Sequence, residues 1–499
     1  MNKKNTRLST QAILVILGNT LANMSGLLTG IFLVRFLDKA EYGTFLQAKM
    51  ITGIAAPLSS PGLSKSFYYF IPQLEERFHR KFLGKTYFFI LAIALSAAII
   101  LILLRSNISN WLNNERILFL MPVIAAVLVG QRLVDSFWPI FISTGRAKLA
   151  SFFVPANALL ILIFVCVPAY LGLGVSGALS GMAVSLIVQA LIITIFIMSL
   201  QYTSNAIPND FSITNQLKYG LPLAFTDIVA LLGNWLDKLM MAIVSKPADF
   251  AVYARGAFDL PLIGLIPYSL SNVLLPKFVQ FHKSRRNLEL IKLWHESIRR
   301  TALIMMPSFV FFFVIGELFI TFMFTEAYRD SALIFRIYLL VVPARLTAYG
   351  AILAATGNTK DIFWGGVILS VSSLISNFIF YYAVGPVGLA IARVVSSYSN
   401  ILFLLSRIKK TFDISLAQLL PWGIILKILG FSLCCGVVIA PLTLLNFSKL
   451  YVLIMCGSLF ALIYLGCGIA FNIIQTEDRV LVIQWITFGK VKNNSPSHK

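Results

Sequence analysis

The sequence predicts an all-α polytopic membrane protein, with two repeated six-helix lobes and two extra C-terminal helices. Of the 499 residues, 58% are hydrophobic and only 12% are charged, and the mean hydropathy is +0.84. Apolar runs of about 20 residues recur, each long enough to cross a hydrocarbon core about 30 Å thick. Two stretches about half a chain apart also resemble each other. Such internal repeats are typical of membrane transporters.

The repeat is clearest at a short polar turn that closes an apolar run. Residues 131–148 read QRLVDSFWPIFISTGRAK, and half a chain later a second stretch reads PARLTAYGAILAATGNTK. Thr356 and Gly357 of the second stretch align with Thr144 and Gly145 of the first. The repeat therefore predicts two lobes of the same design.

Two further pairs of segments repeat at nearly the same offset. The turn that begins at Gly174 aligns with the turn at Gly385, and KAEYGTF from Lys39 aligns with PADFAVY from Pro247. Each lobe holds an even number of spans, so the lobes should be related by an axis along the membrane normal.

Apolar runs and turn residues together predict about fourteen spans. They lie near 11–34, 43–71, 82–104, 117–143, 149–171, 175–200, 217–244, 250–276, 298–324, 331–355, 361–384, 387–408, 416–445 and 450–474. The predicted domains are an N-terminal lobe (1–200), a polar linker (201–216), a C-terminal lobe (217–410), two additional helices (411–474) and a partly amphipathic tail (475–499).

The net charge of +21 is explained by topology. Most Lys and Arg residues fall in connections on one side of the predicted spans, and such connections face the cytoplasm. Both termini, the linker and the tail are therefore predicted to be cytoplasmic, in a multi-pass protein of the bacterial cytoplasmic (inner) membrane. No nucleic acid is expected as a partner.

Several chemistries are disfavoured by the sequence. The five cysteines lie in apolar runs without redox or ligand spacing, and the four histidines do not pair, so neither a metal nor another cofactor is predicted. No G-x-S-x-G, H-E-x-x-H or phosphate-binding loop occurs. The longest predicted outer connection, about a dozen residues, is too short for a catalytic site. A transporter is predicted, and an enzyme is not.

Charged side chains inside the predicted spans are the most informative residues, because each costs about 2.5–3.5 kcal/mol at the bilayer centre. The bases are Lys49, Lys65, Arg132, Lys238, Arg255, Arg336, Arg345, Arg393 and Lys427. The acids are Asp135, Asp227, Asp237, Asp259 and Glu317. Because the bases outnumber the acids, a water-filled cavity with net positive charge and an anionic ligand is expected.

Two of these bases have acids at helical spacing. Arg132 and Asp135 are three residues apart, and Arg255 and Asp259 are four apart, so each pair is either an internal ion pair or part of a ligand site. Arg345 has no acid within its own span and should be the most available to a ligand.

Several segments, in this order and spacing, resemble one known family. They are LVRFLDKAEYGTF, the pair STGRAK and ATGNTK, YGLPLAFTDIVALLGNWLDKLMMA, and GPVGLAIARVVS. Nearly the whole chain resembles the Wzx-type oligosaccharide flippases of polysaccharide biosynthesis, in the multidrug/oligosaccharidyl-lipid/polysaccharide (MOP) exporter superfamily.

The resemblance implies a MATE-like, V-shaped pair of six-helix lobes. It also implies that the protein flips an undecaprenyl-pyrophosphate-linked oligosaccharide, such as an O-antigen or capsule repeat unit, by alternating access. It implies substrate-binding bases in the central cavity, here Arg345, Arg132, Arg393, Lys49 and Arg255. Membrane lipids and polysaccharide polymerase machinery are the expected partners. Alternatives are a flippase for lipid-linked peptidoglycan or teichoic-acid precursors, a multidrug exporter of the same fold, and a polysaccharide polymerase.

The chain has no nucleotide-binding motif, so active transport must use an ion gradient or the membrane potential. We expect a proton or sodium ion as the coupling ion, because a carboxylate in a desolvated cavity readily takes up a cation. The candidates are Asp227, Asp237, Asp135 and Asp259. Asp227 is the leading candidate because it has no base at helical spacing.

Overall fold

The computed structural model of the protein describes residues 24–201, 203 and 207–475. Within this part of the chain the backbone is almost entirely helical and contains no β-strand, which confirms the predicted all-α class. The start of the first predicted span, four residues of the linker and residues 476–499 of the tail lie outside the described residues.

The helices are given in chain order. They are α1 Met24–Phe36, α2 Lys39–Ser59, α3 Leu63–Phe70, α4 Glu76–Leu103, α5 Arg105–Trp111, α6 Arg116–Val134, α7 Phe137–Ser143, α8 Ala147–Tyr170, α9 Gly174–Met198, α10 Ile213–Val244, α11 Pro247–Gly256, α12 Pro261–Lys283, α13 Asn287–Val314, α14 Gly316–Phe324, α15 Ser331–Leu339, α16 Tyr349–Ala355, α17 Thr359–Val384, α18 Pro386–Phe412, α19 Leu416–Leu419, α20 Trp422–Ile439 and α21 Lys449–Ala470. Short 3-10 turns occupy Ile71–Gln73, Asn209–Phe211, Glu326–Tyr328, Val342–Ala344 and Ala440–Leu444.

Nine stretches within the described residues are long and apolar enough to cross a bilayer. They are Glu76–Leu103, Arg116–Ser143, Gly174–Ser199, Asn287–Val314, Ser331–Ala355, Thr359–Val384, Pro386–Phe412, Trp422–Leu444 and Lys449–Ala470. Helix α17 exposes a row of large apolar side chains that includes Leu374, Ile375 and Phe378, as a helix facing lipid does. The chain is a multi-pass membrane protein, and the count of fourteen spans stays a prediction.

The second and eighth predicted spans, which are equivalent in the repeat, are both broken. In the second, α2 and α3 are separated by Pro61 and by Gly62, whose φ of +69° is left-handed and suits glycine. In the eighth, α11 ends at Gly256 and α12 begins with Pro261, because proline cannot donate the backbone hydrogen bond that a continuing helix needs.

The fourth and tenth predicted spans, also equivalent in the repeat, are broken as well. The fourth is divided into α6 and α7, with Asp135 and Ser136 between them. The tenth is divided into α15 and α16, and the residues between them include a 3-10 turn and Arg345. Sequence periodicity predicted all four spans as continuous, and the structure shows that they are not.

The repeated basic turn has the same backbone geometry in both copies. Gly145 follows α7 with φ +72°, and Gly357 follows α16 with φ +81°. In each copy the next amide donates to a carbonyl five residues back: Arg146 to Phe141 at 2.8 Å and Asn358 to Leu353 at 2.9 Å. This left-handed helix cap favours glycine, so the aligned sequences encode the same local structure.

The described chain forms two compact units. The first contains residues 24–261, Met323–Ile334 and Gly366–Ser396, and the second contains Leu262–Phe322, Phe335–Gly365 and residues 397–475. The first unit takes helices from both predicted lobes, and the division into lobes stays a prediction.

Each unit has its own apolar core. In the first, α3, α4, α7 and α9 bury aromatic rings, with Phe67 packed edge-on against Phe82 and Phe141 stacked on Phe196. In the second, Gly436 of α20 packs against Val310 of α13. The core of the first unit fixes α3, which carries a charged residue of the candidate site.

Candidate functional site

A charged side chain lies at or just after each of the four helix breaks. These residues are Lys65 in α3, Asp135 after α6, Asp259 before α12 and Arg345 before α16. Broken helices in membrane proteins occur where the backbone lines a cavity or is covered by protein. The breaks therefore mark where a polar ligand can be held.

Lys65 and Asp227 form an ion pair between α3 and α10. The Lys65 ammonium donates to both carboxylate oxygens of Asp227 at 2.7 Å. The two side chains are 48% and 42% exposed, so water reaches both. The sequence showed no base at helical spacing from Asp227, and the structure supplies one from another helix.

Arg132 and Asp135 form the predicted ion pair at the break of the fourth span. Arg132 Nη2 lies 2.8 Å from Asp135 Oδ2, and the side chains are 10% and 45% exposed. Arg132 Nε is buried and has no hydrogen-bond partner in the described part of the chain. Arg132 Nε therefore remains an unsatisfied buried donor beside the Asp135 carboxylate.

The two ion pairs belong to one polar cluster. Ser64, next to Lys65, lies with its hydroxyl 3.1 Å from that of Ser136, next to Asp135. We define the polar cluster as Ser64, Lys65, Arg132, Asp135, Ser136 and Asp227. It brings α3, α10 and the α6–α7 break together within the first unit.

Lys49 of α2 adds a positive charge. Its side chain is exposed. Among the described residues no carboxylate lies within ion-pair distance of the Lys49 ammonium.

A tryptophan of α10 lies near Lys49. Gly53, one turn after Lys49, faces Trp235, to which an added Cβ would come within 3.8 Å. The Lys238 ammonium lies 5.9 Å from the same ring. Lysines from α2 and α10 therefore flank an aromatic surface.

Arg393 and Asp237, two predicted site residues, are buried between helices of the first unit. Arg393 donates to the Gly233 carbonyl and to Asn234 Oδ1, each at 2.9 Å. The hydroxyl of Tyr253 donates to Asp237 at 3.0 Å. These bonds tie α18 and α11 to α10, and the predicted ligand and coupling roles of the two residues stay predictions.

Arg255 does not pair with Asp259. Its guanidinium carbon lies 4.7 Å from the ring centre of Tyr42 and 5.0 Å from that of Phe324, and no ion pair of Arg255 is found among the described residues. Asp259 is exposed and lies beyond the end of α11. The helix break between the two residues removes the spacing on which the predicted pair depended.

Arg345 belongs to the second unit. It follows the 3-10 turn Val342–Ala344 and is partly buried. Side chains form hydrogen bonds with backbone groups near this helix break. The amide of Ala348 donates to Ser271 Oγ at 3.3 Å, and the Tyr349 hydroxyl donates to the Ala344 carbonyl at 2.8 Å. Side-chain hydrogen bonds therefore stabilise the break. The role of Arg345 as a ligand stays a prediction.

Sequence reasoning missed Tyr42 and Phe324 around Arg255, and the serines that join the polar cluster. One signal was present: Tyr42 lies inside the repeated KAEYGTF segment. The others carry no sequence signal, because single Ser and Phe residues are common in membrane helices. Among the described residues no group of three or more His, Cys, Asp and Glu suits a metal ion.

Comparison with known proteins identifies the family. The sequence profile of the polysaccharide biosynthesis protein family matches residues 32–333, which is more than half of the chain. The chain belongs to this family.

A curated relative agrees with the assignment. Over 181 residues this polysaccharide biosynthesis protein is 23% identical to the capsular polysaccharide biosynthesis protein CapF of Staphylococcus aureus. The alignment covers 36% of this chain and 46% of CapF, so the chain matches about half the length of that relative.

Solved structures show the fold. The lipid II flippase MurJ in an inward closed conformation has a TM-score of 0.73 and 18% identity, and the match covers 93% of this chain and 99% of that one. An inward-facing multidrug resistance MATE transporter of the MOP superfamily has a TM-score of 0.59 and 16% identity, covering 80% and 96%. The predicted MATE-like fold is confirmed, and these structural neighbours are transporters, as the sequence predicted.

Proposed function

We propose that this polysaccharide biosynthesis protein is a flippase that moves an undecaprenyl-pyrophosphate-linked oligosaccharide from the cytoplasmic to the outer face of the bacterial cytoplasmic membrane. An O-antigen or capsule repeat unit is the proposed cargo. The family assignment supports a polysaccharide precursor, and the fold supports movement across a membrane. Both termini are cytoplasmic in this proposal, because that topology places most Lys and Arg inside.

The observation that carries the proposal is Lys49. Its ammonium is exposed and has no acidic partner among the described residues, so it attracts an anion. A pyrophosphate carries negative charge on several oxygens, and an ammonium with three donors binds it well. Arg132 adds a second positive charge in the polar cluster.

Coupling to a proton or sodium gradient is part of the proposal, with Asp227 as the leading site. Asp227 holds the Lys65 ammonium. A cation bound at Asp227 would displace Lys65 and leave that ammonium available to phosphate. Occupancy by the coupling ion and by the substrate would then be linked through one side chain.

A second candidate is a lipid-linked peptidoglycan precursor, which the similarity to MurJ favours. Both substrates carry the same kind of anionic linkage, so the cavity charge does not separate them. A multidrug exporter for organic cations is disfavoured, because Lys49 would repel such ligands.

The test is translocation of fluorescent lipid-linked sugars in proteoliposomes. We expect transport of a pyrophosphate-linked oligosaccharide, with Lys49→Met lowering the rate about tenfold and Lys49→Arg retaining most of it, since a hydrogen bond to a charged group contributes about 1.5–3 kcal/mol. Arg105→Met is the matched control, because Arg105 is an exposed base at the start of α5. Unchanged transport by Lys49→Met would remove the central support for the proposal, and transport of the peptidoglycan precursor alone would favour the second candidate.

A further inference from the structure

Four residues of the first unit converge around the Arg255 guanidinium. It lies against the rings of Tyr42 and Phe324, and the Tyr42 ring meets Tyr328 edge-on with centroids 6.2 Å apart. Gly30 lies so close that an added Cβ would be 2.6 Å from Arg255 Nη2. We call Gly30, Tyr42, Arg255, Phe324 and Tyr328 the clasp.

The clasp joins segments from both copies of the repeat. Gly30 and Tyr42 come from α1 and α2, whereas Arg255, Phe324 and Tyr328 come from α11 and from the end of α14 and the turn after it. These are the segments around the first, seventh and ninth connections, which the predicted topology places on the outer side of the membrane.

Backbone contacts reinforce the junction at this end. A Cβ on Gly43 would lie 1.8 Å from the Pro247 carbonyl oxygen, so α2 and α11 touch through their backbones. The guanidinium of Arg35 donates to the Met323 carbonyl at 2.9 Å, and the Ser331 hydroxyl donates to the Val252 carbonyl at 2.6 Å. Such contacts hold α1, α2, α11, α14 and α15 together at this end.

The clasp is closed at a cost in buried polar groups. The hydroxyls of Tyr42 and Tyr328 and Arg255 Nε are buried, and within the described residues none of the three has a hydrogen-bond partner. The two tyrosines are 0% and 1% exposed. Cation–π contacts with the two rings offset only part of the cost of the unsatisfied Nε.

The turn that supplies two of the rings is also strained. Thr325 lies between Phe324 and Tyr328 with φ +73° and ψ +167°, a conformation that is essentially restricted to glycine. A β-branched residue is especially unfavourable there. Strained backbone and unsatisfied polar groups therefore coincide at one junction.

We propose that the clasp is an outer gate, held closed at a cost so that it reopens during each transport cycle. Opening would hydrate the three buried polar atoms and relieve the backbone strain at Thr325. Both effects lower the free energy of opening, so the closed state is not too stable to reopen. Arg255 is then a gating residue in this conformation, and the substrate ligands lie elsewhere. This inference rests on the proposed transport function and adds the device that alternates access.

The test is hydrogen exchange of the full-length protein in lipid nanodiscs without substrate, read on peptides that cover 247–257 and 323–331. Arg255→Met keeps a long apolar side chain and removes the charge together with the buried Nε donor, so we expect exchange in both peptides to slow at least about fivefold, with slower transport. Tyr42→Phe keeps the ring, removes one unsatisfied hydroxyl and should slow exchange less. Gly30→Ala places a Cβ too close to the Arg255 guanidinium and should therefore speed exchange.

Arg116→Met is the matched control. Arg116 is a base at the start of α6, half exposed and 3.7 Å from Glu41, and its removal should leave exchange in the two peptides unchanged. If Arg255→Met lowers transport while exchange is unchanged or faster, Arg255 is a substrate ligand or a structural stabiliser and the gate is refuted. Because the exchange is measured without substrate, a wrong substrate assignment would leave this result intact.

Discussion

Two junctions of the first unit join segments of the two repeats through a charged side chain. The environment of that charge differs between the two junctions. At the polar cluster, Lys65 and Asp227 pair at 2.7 Å with nearly half of each side chain exposed. At the clasp, Arg255 is partly buried against two aromatic rings and has no acidic partner among the described residues. Both charges of the first pair are exposed, whereas ring contacts stabilise the second charge.

This difference in environment determines how strongly each junction affects the equilibrium between the closed and open forms. A solvent-exposed ion pair contributes about 0–1 kcal/mol, because water replaces each partner when the pair breaks. A buried polar group without a hydrogen bond costs about 1–3 kcal/mol. The clasp should therefore dominate the balance between closed and open forms, and the ion pair should adjust it.

Separating α2 from α11 next to the clasp should have the largest effect on stability. Gly43→Ala places a Cβ 1.8 Å from the Pro247 carbonyl oxygen, so α2 and α11 must move apart, at a cost of about 3 kcal/mol in the free energy of unfolding. Thermal unfolding in detergent measures this loss. Gly26→Ala is the control, because a Cβ there meets nothing within 4 Å. Equal stability of the two variants would mean that the close approach does not matter.

The next effect concerns Arg345, a base in the second unit that belongs to neither junction. We predict that Arg345 helps to hold the substrate pyrophosphate, since a forked guanidinium contact contributes about 1.5–3 kcal/mol. Arg345→Ala should lower surface polysaccharide at least about tenfold. Arg345→Lys keeps the charge without the fork and should be intermediate.

Protein level decides how the Arg345 result is understood. Variants are compared at matched membrane abundance, with Arg105→Ala as a control for loss of an exposed base. Wild-type output from Arg345→Ala would refute the ligand role. Low output caused by lost protein would instead indicate that Arg345 supports the break before α16.

The smallest effect is expected at the hydrated ion pair. In a double-mutant cycle with Lys65→Met and Asp227→Asn, the coupling free energy should stay below about 1 kcal/mol and should fall further in high salt. Unfolding midpoints of the four proteins at two salt concentrations give this value. A salt-independent coupling above about 2 kcal/mol would show that the pair is desolvated, and the contrast with the clasp would disappear.

The sequence by itself determined what depends on nearby residues. Apolar runs require helices in a bilayer, so the all-α class follows from composition and length. The Arg132–Asp135 pair follows from a spacing of three residues, because the backbone stays helical as far as Asp135. The repeated Thr-Gly turn has one geometry in both copies because the left-handed cap favours glycine.

Tertiary structure alone decided which charges are paired, hydrated or enclosed. Asp227 gains Lys65 from a helix 162 residues earlier, and Arg255 gains rings from positions 42 and 324. Arg255 and Asp259 lie four residues apart, but the break after α11 removes the helical geometry that would have joined them. Periodicity describes one helix at a time, whereas burial and electrostatic partners depend on the packing of several helices, so residues distant in sequence determined the environment of each charge.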